Sequence, residues 1–240
     1  MTKDRFYDKT SAVIIWIFIT LQITFGVISG FYGSRLNLSF KNYLLWIFGF
    51  WSLFIAPILI LFFRQQINFR KLGFEKPKWQ HVCLSISTVL LFYLVFFYFD
   101  GNLRYPDVFL EKIKLSLLKI YIHPLKPVLF SFFMFFIVVL QEVFWRGLVQ
   151  NSLTDYLRPY LAIFVASFFF TLMHIANLIR NLTAEFRFFN PYVGFCYLFV
   201  FGIVVGWVYY KSKNMWLPVM IHFIYNWIPS YLVYYWIRPW

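Results

Sequence analysis

Residues 127–150 read PVLFSFFMFFIVVLQEVFWRGLVQ, and this stretch decides the class of fold. Up to Leu140 it is almost entirely apolar, and Gln141, Glu142 and Arg146 then follow without ending the apolar run. About 20 mostly apolar residues are enough for an α-helix to cross the hydrocarbon core of a bilayer. The stretch therefore predicts a membrane-spanning helix that carries polar and ionisable side chains in its interior.

The composition of the whole chain favours the same environment. Of its 240 residues, 62% are hydrophobic and 13% are charged, whereas charged residues make up about 25% of a soluble domain. Seven apolar runs are long enough to span a bilayer, at roughly 11–31, 43–63, 82–99, 127–149, 160–178, 191–209 and 215–237. We predict an all-α, polytopic transmembrane helical bundle of about seven spans, forming a single integral membrane domain over residues 1–240.

The basic residues indicate contact with lipid. The formal net charge is +13, but Lys and Arg fall in short connections such as residues 64–78, and they form no separate nucleic-acid-binding domain. We therefore predict that anionic headgroups of the lipid bilayer, and no nucleic acid, neutralise them. In residues 104–127 lysines alternate with apolar residues in a helical rhythm, which predicts an interfacial amphipathic helix. We expect a multi-pass protein of the cytoplasmic membrane of a bacterium, with its N-terminus inside.

The motif GIVVG, from Gly202 to Gly206, places two small residues four positions apart. This pattern lets two membrane helices approach closely. We predict that it serves packing within the chain, and a dimer face is the alternative.

Ionisable residues inside the apolar runs are the functional candidates. Glu142 is the one carboxylate well inside such a run, and His174 and His222 are the two histidines in that position. Each costs about 2.5–3.5 kcal/mol to insert at mid-membrane, so each is a functional hypothesis by default. Arg146 follows Glu142 by four residues and Asn226 follows His222 by four, so each pair shares a helix face. Singly, these groups also suit a structural ion pair or an interhelical hydrogen bond; together they predict one wet pocket.

Such a pocket can activate water. A carboxylate and an imidazole can remove a proton from water and return it to a leaving group, while a second His and an Asn donate to the developing oxyanion. Arg146 would orient the carboxylate, and no cofactor is required. A zinc ion held by Glu142, His174 and His222 is the competing arrangement, although the sequence has no H-E-x-x-H motif.

Three motifs stand in order on successive apolar runs: QEVFWRG at 141–147, FTLMH at 170–174 and HFIYN at 222–226. They resemble the motifs of the CPBP family, the CAAX-protease and bacteriocin-processing (Abi-type) intramembrane proteases, over roughly 125–237. The resemblance implies a glutamic endopeptidase in which the first Glu of a Glu-Glu pair and the first His activate water. The second His and an Asn form its oxyanion hole.

Carried over to this chain, the resemblance assigns the water partner to His174, the oxyanion donors to His222 and Asn226, and the orienting cation to Arg146. Glu142 matches the second Glu of the pair. Gln141 stands where the family has its first Glu, and a neutral amide cannot act as a base.

Two interpretations follow from this departure, and a third class of function does not depend on it. Glu142 takes the role of the base directly, and the protein cleaves a membrane-associated protein or peptide substrate. Alternatively, the fold is retained as a catalytically inactive adaptor or immunity protein. A third class, an ion- or proton-coupled transporter, also places Glu, Arg and His inside the membrane. The sequence leaves the substrate and the oligomeric state open, and we predict the protease.

Overall fold

The computed structural model describes residues 6–32, 40–99, 125–175 and 191–237, and within these ranges every regular element is helical. The helices are α1 (Lys9–Tyr32), α2 (Phe40–Phe63), α3 (Trp79–Phe99), α4 (Leu125–Glu142), a π-helix (Val143–Gln150), α5 (Asn151–Thr154), α6 (Pro159–Met173), α7 (Pro191–Ser212) and α8 (Trp216–Ile237). Each of the seven predicted apolar runs falls mainly in these helices, so the all-α prediction is confirmed; of the fifth run, residues 176–178 lie outside the described residues. Of the predicted amphipathic helix, 104–124 lie outside the described residues and 125–127 begin α4.

Several helices have the length and surface of membrane spans. Among the described residues, three stretches are long and apolar enough to cross a bilayer: Lys9–Ile28, Ser131–Thr154 and Gly194–Ser212. Shorter apolar helices cover Phe48–Phe63, Trp79–Phe92 and Pro159–Met173. Large apolar side chains stand exposed along these helices, and Phe132 is 75% exposed. Such a surface suits lipid and not water, so the chain is an integral membrane protein. The count of seven spans stays a prediction.

The helix starts follow simple local rules. Asp8 precedes α1, and its carboxylate accepts a hydrogen bond of 2.6 Å from the backbone N–H of Ser11, which is an N-cap. Hydrogen bonds from Ser11 and then from Arg64 hold the pKa of Asp8 below its ordinary value. Pro159 begins α6 at a position where its missing N–H costs nothing.

The described chain falls into two compact units. The first comprises residues 1–75 and 140–215, and the second comprises 76–139 and 216–240. Within the first unit, α6 and α7 make the most extensive helix contact. A Cβ added to Gly202 would lie 3.0 Å from the Cβ of Ser167 on α6. The GIVVG motif therefore packs within the chain, as predicted.

A loop of the first unit, residues 64–75, is joined to the connection that follows α7. The backbone N–H of Met215 donates to the carbonyl of Gly73 at 2.9 Å, and the side-chain amide of Asn214 donates to that of Glu75 at 2.7 Å. Gly73 has φ +82°, and a Cβ there would collide with the backbone of Lys213. Only glycine suits this position.

The second unit contains α3, α8 and most of α4. Helices α3 and α8 contact each other, and the rings of Phe135 on α4 and Phe223 on α8 meet edge to face with centroids 5.6 Å apart. Val89 on α3 and Ile221 on α8 are buried. This unit therefore has aromatic and aliphatic packing of its own.

Candidate functional site

The candidate carboxylate lies where the helix changes its type. Glu142 is the last residue of α4, and the π-helix begins at the next residue and carries Arg146. Every residue from Val143 to Gln150 is buried. A π-helix has i→i+5 hydrogen bonds, is rare, and often occurs at functional sites. No feature of the sequence predicted it.

Glu142 and Arg146 form a fully buried ion pair. Arg146 Nε lies 3.2 Å from Glu142 Oε2, and both side chains are at most 1% exposed. The ion pair that the spacing predicts is therefore present. The guanidinium carbon also lies 5.0 Å from the centroid of the Phe170 ring, which is a cation–π distance. Within the described chain the two terminal guanidinium nitrogens have no hydrogen-bond acceptor.

His174 lies directly after the last residue of α6. Its backbone, with φ −86° and ψ 6°, leaves the helical conformation, and its Nδ1 lies 2.9 Å from the carbonyl oxygen of Phe170. Because a carbonyl only accepts, this hydrogen bond requires the proton on Nδ1. Nε2 of a neutral ring is then an acceptor, as a general base needs.

Phe170 brings the two parts of the site together. Its ring lies under the guanidinium of Arg146, and its centroid is 4.9 Å from that of the His174 ring. The side chain is fully buried. The first unit therefore holds Arg146, the partner of Glu142, and His174 against one aromatic ring. Sequence reasoning quoted Phe170 as part of a motif but gave it no role.

Gln141 directly precedes Glu142 on α4 and is 6% exposed. Its Oε1 has no hydrogen-bond donor within the part of the chain that the structure describes. A buried amide oxygen is stable only with a partner, which water can supply. The side chain thus has the chemistry to hold a water molecule but not to deprotonate it.

His222 and Asn226 belong to the second unit, where both lie on α8. They are four residues apart and therefore share a face of that helix. His222 is 2% exposed, and Asn226 is partly exposed. The meeting of these two residues with the group around Phe170 stays a prediction.

Several residues that sequence reasoning missed hold the π-helix in place. The Tyr7 hydroxyl donates to the carbonyl of Gly147 at 2.7 Å. The Asn151 amide donates to the same carbonyl at 3.0 Å, and the Gln150 amide donates to the carbonyl of Gly206 at 3.0 Å. These contacts join positions up to 140 residues apart. The adjacent amides of Gln150 and Asn151 were the one visible signal.

No group of three or more His, Cys, Asp or Glu side chains that could hold a metal ion is found among the described residues. The competing zinc arrangement with Glu142, His174 and His222 stays a prediction.

The fold and the site define a helical membrane protein with a buried Glu–Arg pair and a histidine around one phenylalanine. The family model described as Type II CAAX prenyl endopeptidase Rce1-like matches residues 123–228. This range contains all six candidate residues, Gln141, Glu142, Arg146, His174, His222 and Asn226. The resemblance to the CPBP/CAAX-protease family is thereby confirmed over that segment. Neither the comparison with curated proteins nor that with solved structures gives a match.

Proposed function

We propose that this protein is an intramembrane endopeptidase of the CAAX-protease type, which hydrolyses a peptide bond of a membrane-associated protein or peptide. The observation that carries the proposal is that Arg146, which is paired with the buried Glu142, and His174 both contact Phe170 within the segment that matches the family. A multi-pass position in a bacterial cytoplasmic membrane is part of the same proposal.

The proposed reaction begins with water. Glu142 and His174 take one proton from it, and the hydroxide attacks the carbonyl carbon of the scissile peptide bond. His222 and Asn226 donate hydrogen bonds to the resulting oxyanion. The tetrahedral intermediate collapses, the C–N bond breaks and the proton passes to the leaving amine, which gives one new carboxylate and one new amine. The ring of Phe170 and the carboxylate fix the guanidinium of Arg146.

The non-catalytic adaptor is the second candidate, and Gln141 is the observation that favours it. A base within hydrogen-bond reach of the water is needed for general base catalysis, and the family's first Glu is replaced here by an amide. An adaptor would keep its cellular effect when Glu142, His174 and His222 are each replaced. A transporter would show flux in proteoliposomes that Glu142→Gln abolishes, without any cleaved product.

The test of the protease is a quantitative comparison of protein termini in membranes that contain the wild type or Glu142→Ala. We expect termini that occur only with the intact carboxylate. Glu75→Ala is the matched control, because Glu75 carries the same carboxylate in an exposed loop. If wild type and Glu142→Ala give the same termini at equal expression, the adaptor is the better proposal.

We propose a site without a metal or other cofactor. The purified wild-type protein is therefore expected to contain far less than one zinc ion per chain and to keep its activity after treatment with a chelator. Stoichiometric zinc that Glu142→Ala or His174→Ala removes would instead assign these residues as ligands.

A further inference from the structure

The carbonyl of Gly147 has an unusual set of hydrogen-bond partners. In an α-helix it would accept from the backbone N–H of Asn151, four residues later. That N–H donates to the carbonyl of Leu148 instead. Two side chains take its place, the hydroxyl of Tyr7 at 2.7 Å and the amide of Asn151 at 3.0 Å. Two side chains thus donate to the carbonyl of Gly147, which in an α-helix would accept from a backbone N–H of the same helix.

Two side chains pack closely against the backbone at Gly147. A Cβ there would lie 2.8 Å from a methyl group of Leu72 and 3.4 Å from the methyl group of Met215. Both neighbours belong to the loops that close over this side of the π-helix. The backbone of Gly147 is therefore packed closely, and its carbonyl is buried with Tyr7.

Tyr7 is itself held firmly, although it lies before the first helix. The carboxylate of Asp155 accepts the backbone N–H of Phe6 at 2.7 Å and that of Tyr7 at 3.1 Å. The ammonium group of Lys71 donates to the carbonyl of Phe6 at 2.7 Å and lies 4.5 Å from the centroid of its ring. The Tyr7 side chain is 1% exposed. Two separate segments, at Asp155 and at Lys71, thus hold the backbone that carries this hydroxyl.

The Tyr7 hydroxyl also keeps the proton that it donates to Gly147. Burial raises the pKa of Tyr7 well above its ordinary value, and the nearby Tyr209 and Asp155 raise this pKa further. The phenol therefore stays protonated over the working range of an enzyme. Its acceptor, a carbonyl oxygen, requires a donor at all times.

The form of this helix determines where Arg146 points. Each extra residue in a turn rotates the following side chains by about 100° around the helix axis, since an α-helical turn has 3.6 residues. Arg146 lies inside the π-helix, one residue before Gly147, and Glu142 lies directly before it. A return to α-helical hydrogen bonding would therefore turn the guanidinium away from the ring of Phe170, which lies on another helix.

We infer that Tyr7 is a positioning residue of the candidate protease: its hydroxyl holds the π-helix through the carbonyl of Gly147, and thereby holds the guanidinium of Arg146 on the ring of Phe170. The inference rests on the proposed function for its consequence in catalysis. The N-terminal segment, residues 6–8, would then help to keep Arg146 oriented, although it lies far outside the family-matched range.

The test compares Tyr7→Phe with the wild type in purified full-length protein, reconstituted in lipid nanodiscs. The substrate is a peptide spanning a cleavage site found from Glu142-dependent termini. We expect kcat to fall about tenfold and KM to stay within about twofold, because the variant loses orientation and not binding. Tyr160→Phe is the matched control, since Tyr160 is 63% exposed on α6; it should leave kcat, KM and exchange unchanged.

Amide hydrogen exchange of residues 143–152 supplies a readout that needs no substrate. Tyr7→Phe should raise exchange there, while the melting temperature and exchange in α7 remain close to wild type. Asp155→Asn weakens the hydrogen bonds to the backbone N–H groups of Phe6 and Tyr7. It should lower kcat and raise exchange, each by less than Tyr7→Phe does. This variant decides the matter if Tyr7→Phe fails to fold.

The two proposals fail in different ways. Wild-type kinetics and wild-type exchange in Tyr7→Phe, with cleavage still dependent on Glu142, would overturn the positioning role and leave the protease intact. A fall in kcat accompanied by an equal rise in KM and general loss of stability would also overturn it, since Tyr7 would then serve the fold alone. If no cleavage depends on Glu142, the protease proposal fails, and unchanged exchange would overturn the hold on the π-helix as well.

Discussion

At the scale of single residues, the neighbours Gln141 and Glu142 differ in charge and in hydrogen bonding. Glu142 has the charge that a base needs, but Arg146 Nε already lies 3.2 Å from one of its oxygens. Gln141 is buried, and its Oε1 has no donor within the described chain. The Gln141 side chain thus has an oxygen that can accept a hydrogen bond from water, but a neutral amide cannot act as a base.

We predict that Gln141→Glu raises the cleavage rate at least tenfold, because general base catalysis contributes about 10²–10⁴-fold. The rate at which Glu142-dependent termini appear measures the change. Gln22→Glu is the matched control: Gln22 is also fully buried in the first unit, where its amide donates to the carbonyl of Leu53. It should gain nothing. No gain at position 141, together with full loss on Glu142→Ala, would place the base at Glu142.

The same residues show how far sequence reasoning reaches. The Glu142–Arg146 ion pair was predictable, because four residues bring two side chains together in a helix whatever lies around them. The contacts of Arg146 and His174 with Phe170 could not be predicted, since they depend on how α6 packs against the π-helix. The bond from Tyr7 to Gly147 joins residues 140 positions apart, and no local pattern specifies such a pair.

At the scale of elements, the end of α6 matters most, because it determines the position of His174. The fifth apolar run was predicted to continue to about residue 178, but α6 ends at Met173. Neither Gly nor Pro marks that end in the sequence, so the boundary was not predictable. The packing of the GIVVG motif was predictable, because two glycines at this spacing allow a membrane helix to approach a neighbour closely.

The end of α6 is packed against α1, and this leads to a prediction for Gly26. A Cβ at Gly26 would lie 3.1 Å from the carbonyl oxygen of Met173, the residue before His174. Gly26→Ala should therefore displace this backbone by a few tenths of an ångström and lower kcat roughly threefold to tenfold, since catalysis depends steeply on position. Steady-state kinetics on the purified variant measure the effect.

Gly49→Ala on α2 is the control for Gly26→Ala. A Cβ at Gly49 meets nothing within 4 Å, yet both changes bring the same gain in helix propensity, about 1 kcal/mol. Gly49→Ala should keep the wild-type rate and melt at the same temperature or slightly higher. Equal rates for the two variants would mean that the contact of α1 with Met173 has no influence on His174.

At the scale of the whole molecule, the family match and the folded units have different boundaries. The match begins at residue 123, whereas the first unit takes residues 1–75 together with 140–215. Composition and apolar runs were sufficient to predict a helical membrane protein. The three motifs were sufficient to predict the resemblance to the family over the matched segment. They gave no role to the first 75 residues, because the contacts of these residues with the site are all long-range.

These contacts predict how the chain behaves when it is divided after Glu75. Residues 76–240 contain every motif. They lack the Tyr7 hydroxyl that donates to Gly147, the Leu72 side chain that packs near Gly147, and the Gly73 carbonyl that accepts from Met215. Expressed alone, this fragment should show no Glu142-dependent cleavage. Co-expression of residues 1–75 as a separate chain should restore part of it, because the missing bonds are non-covalent.

Cleaved termini and co-purification of the two tagged fragments measure the outcome together. Co-purification should weaken when Tyr7→Phe or Asp155→Asn is introduced, since these side chains carry bonds across the division. Lys9→Met is a matched change on the same short fragment, and no hydrogen bond of its side chain to the rest of the first unit is seen in the described chain. Wild-type cleavage by residues 76–240 alone would show that this fragment suffices, and that residues 1–75 serve some purpose other than holding the site.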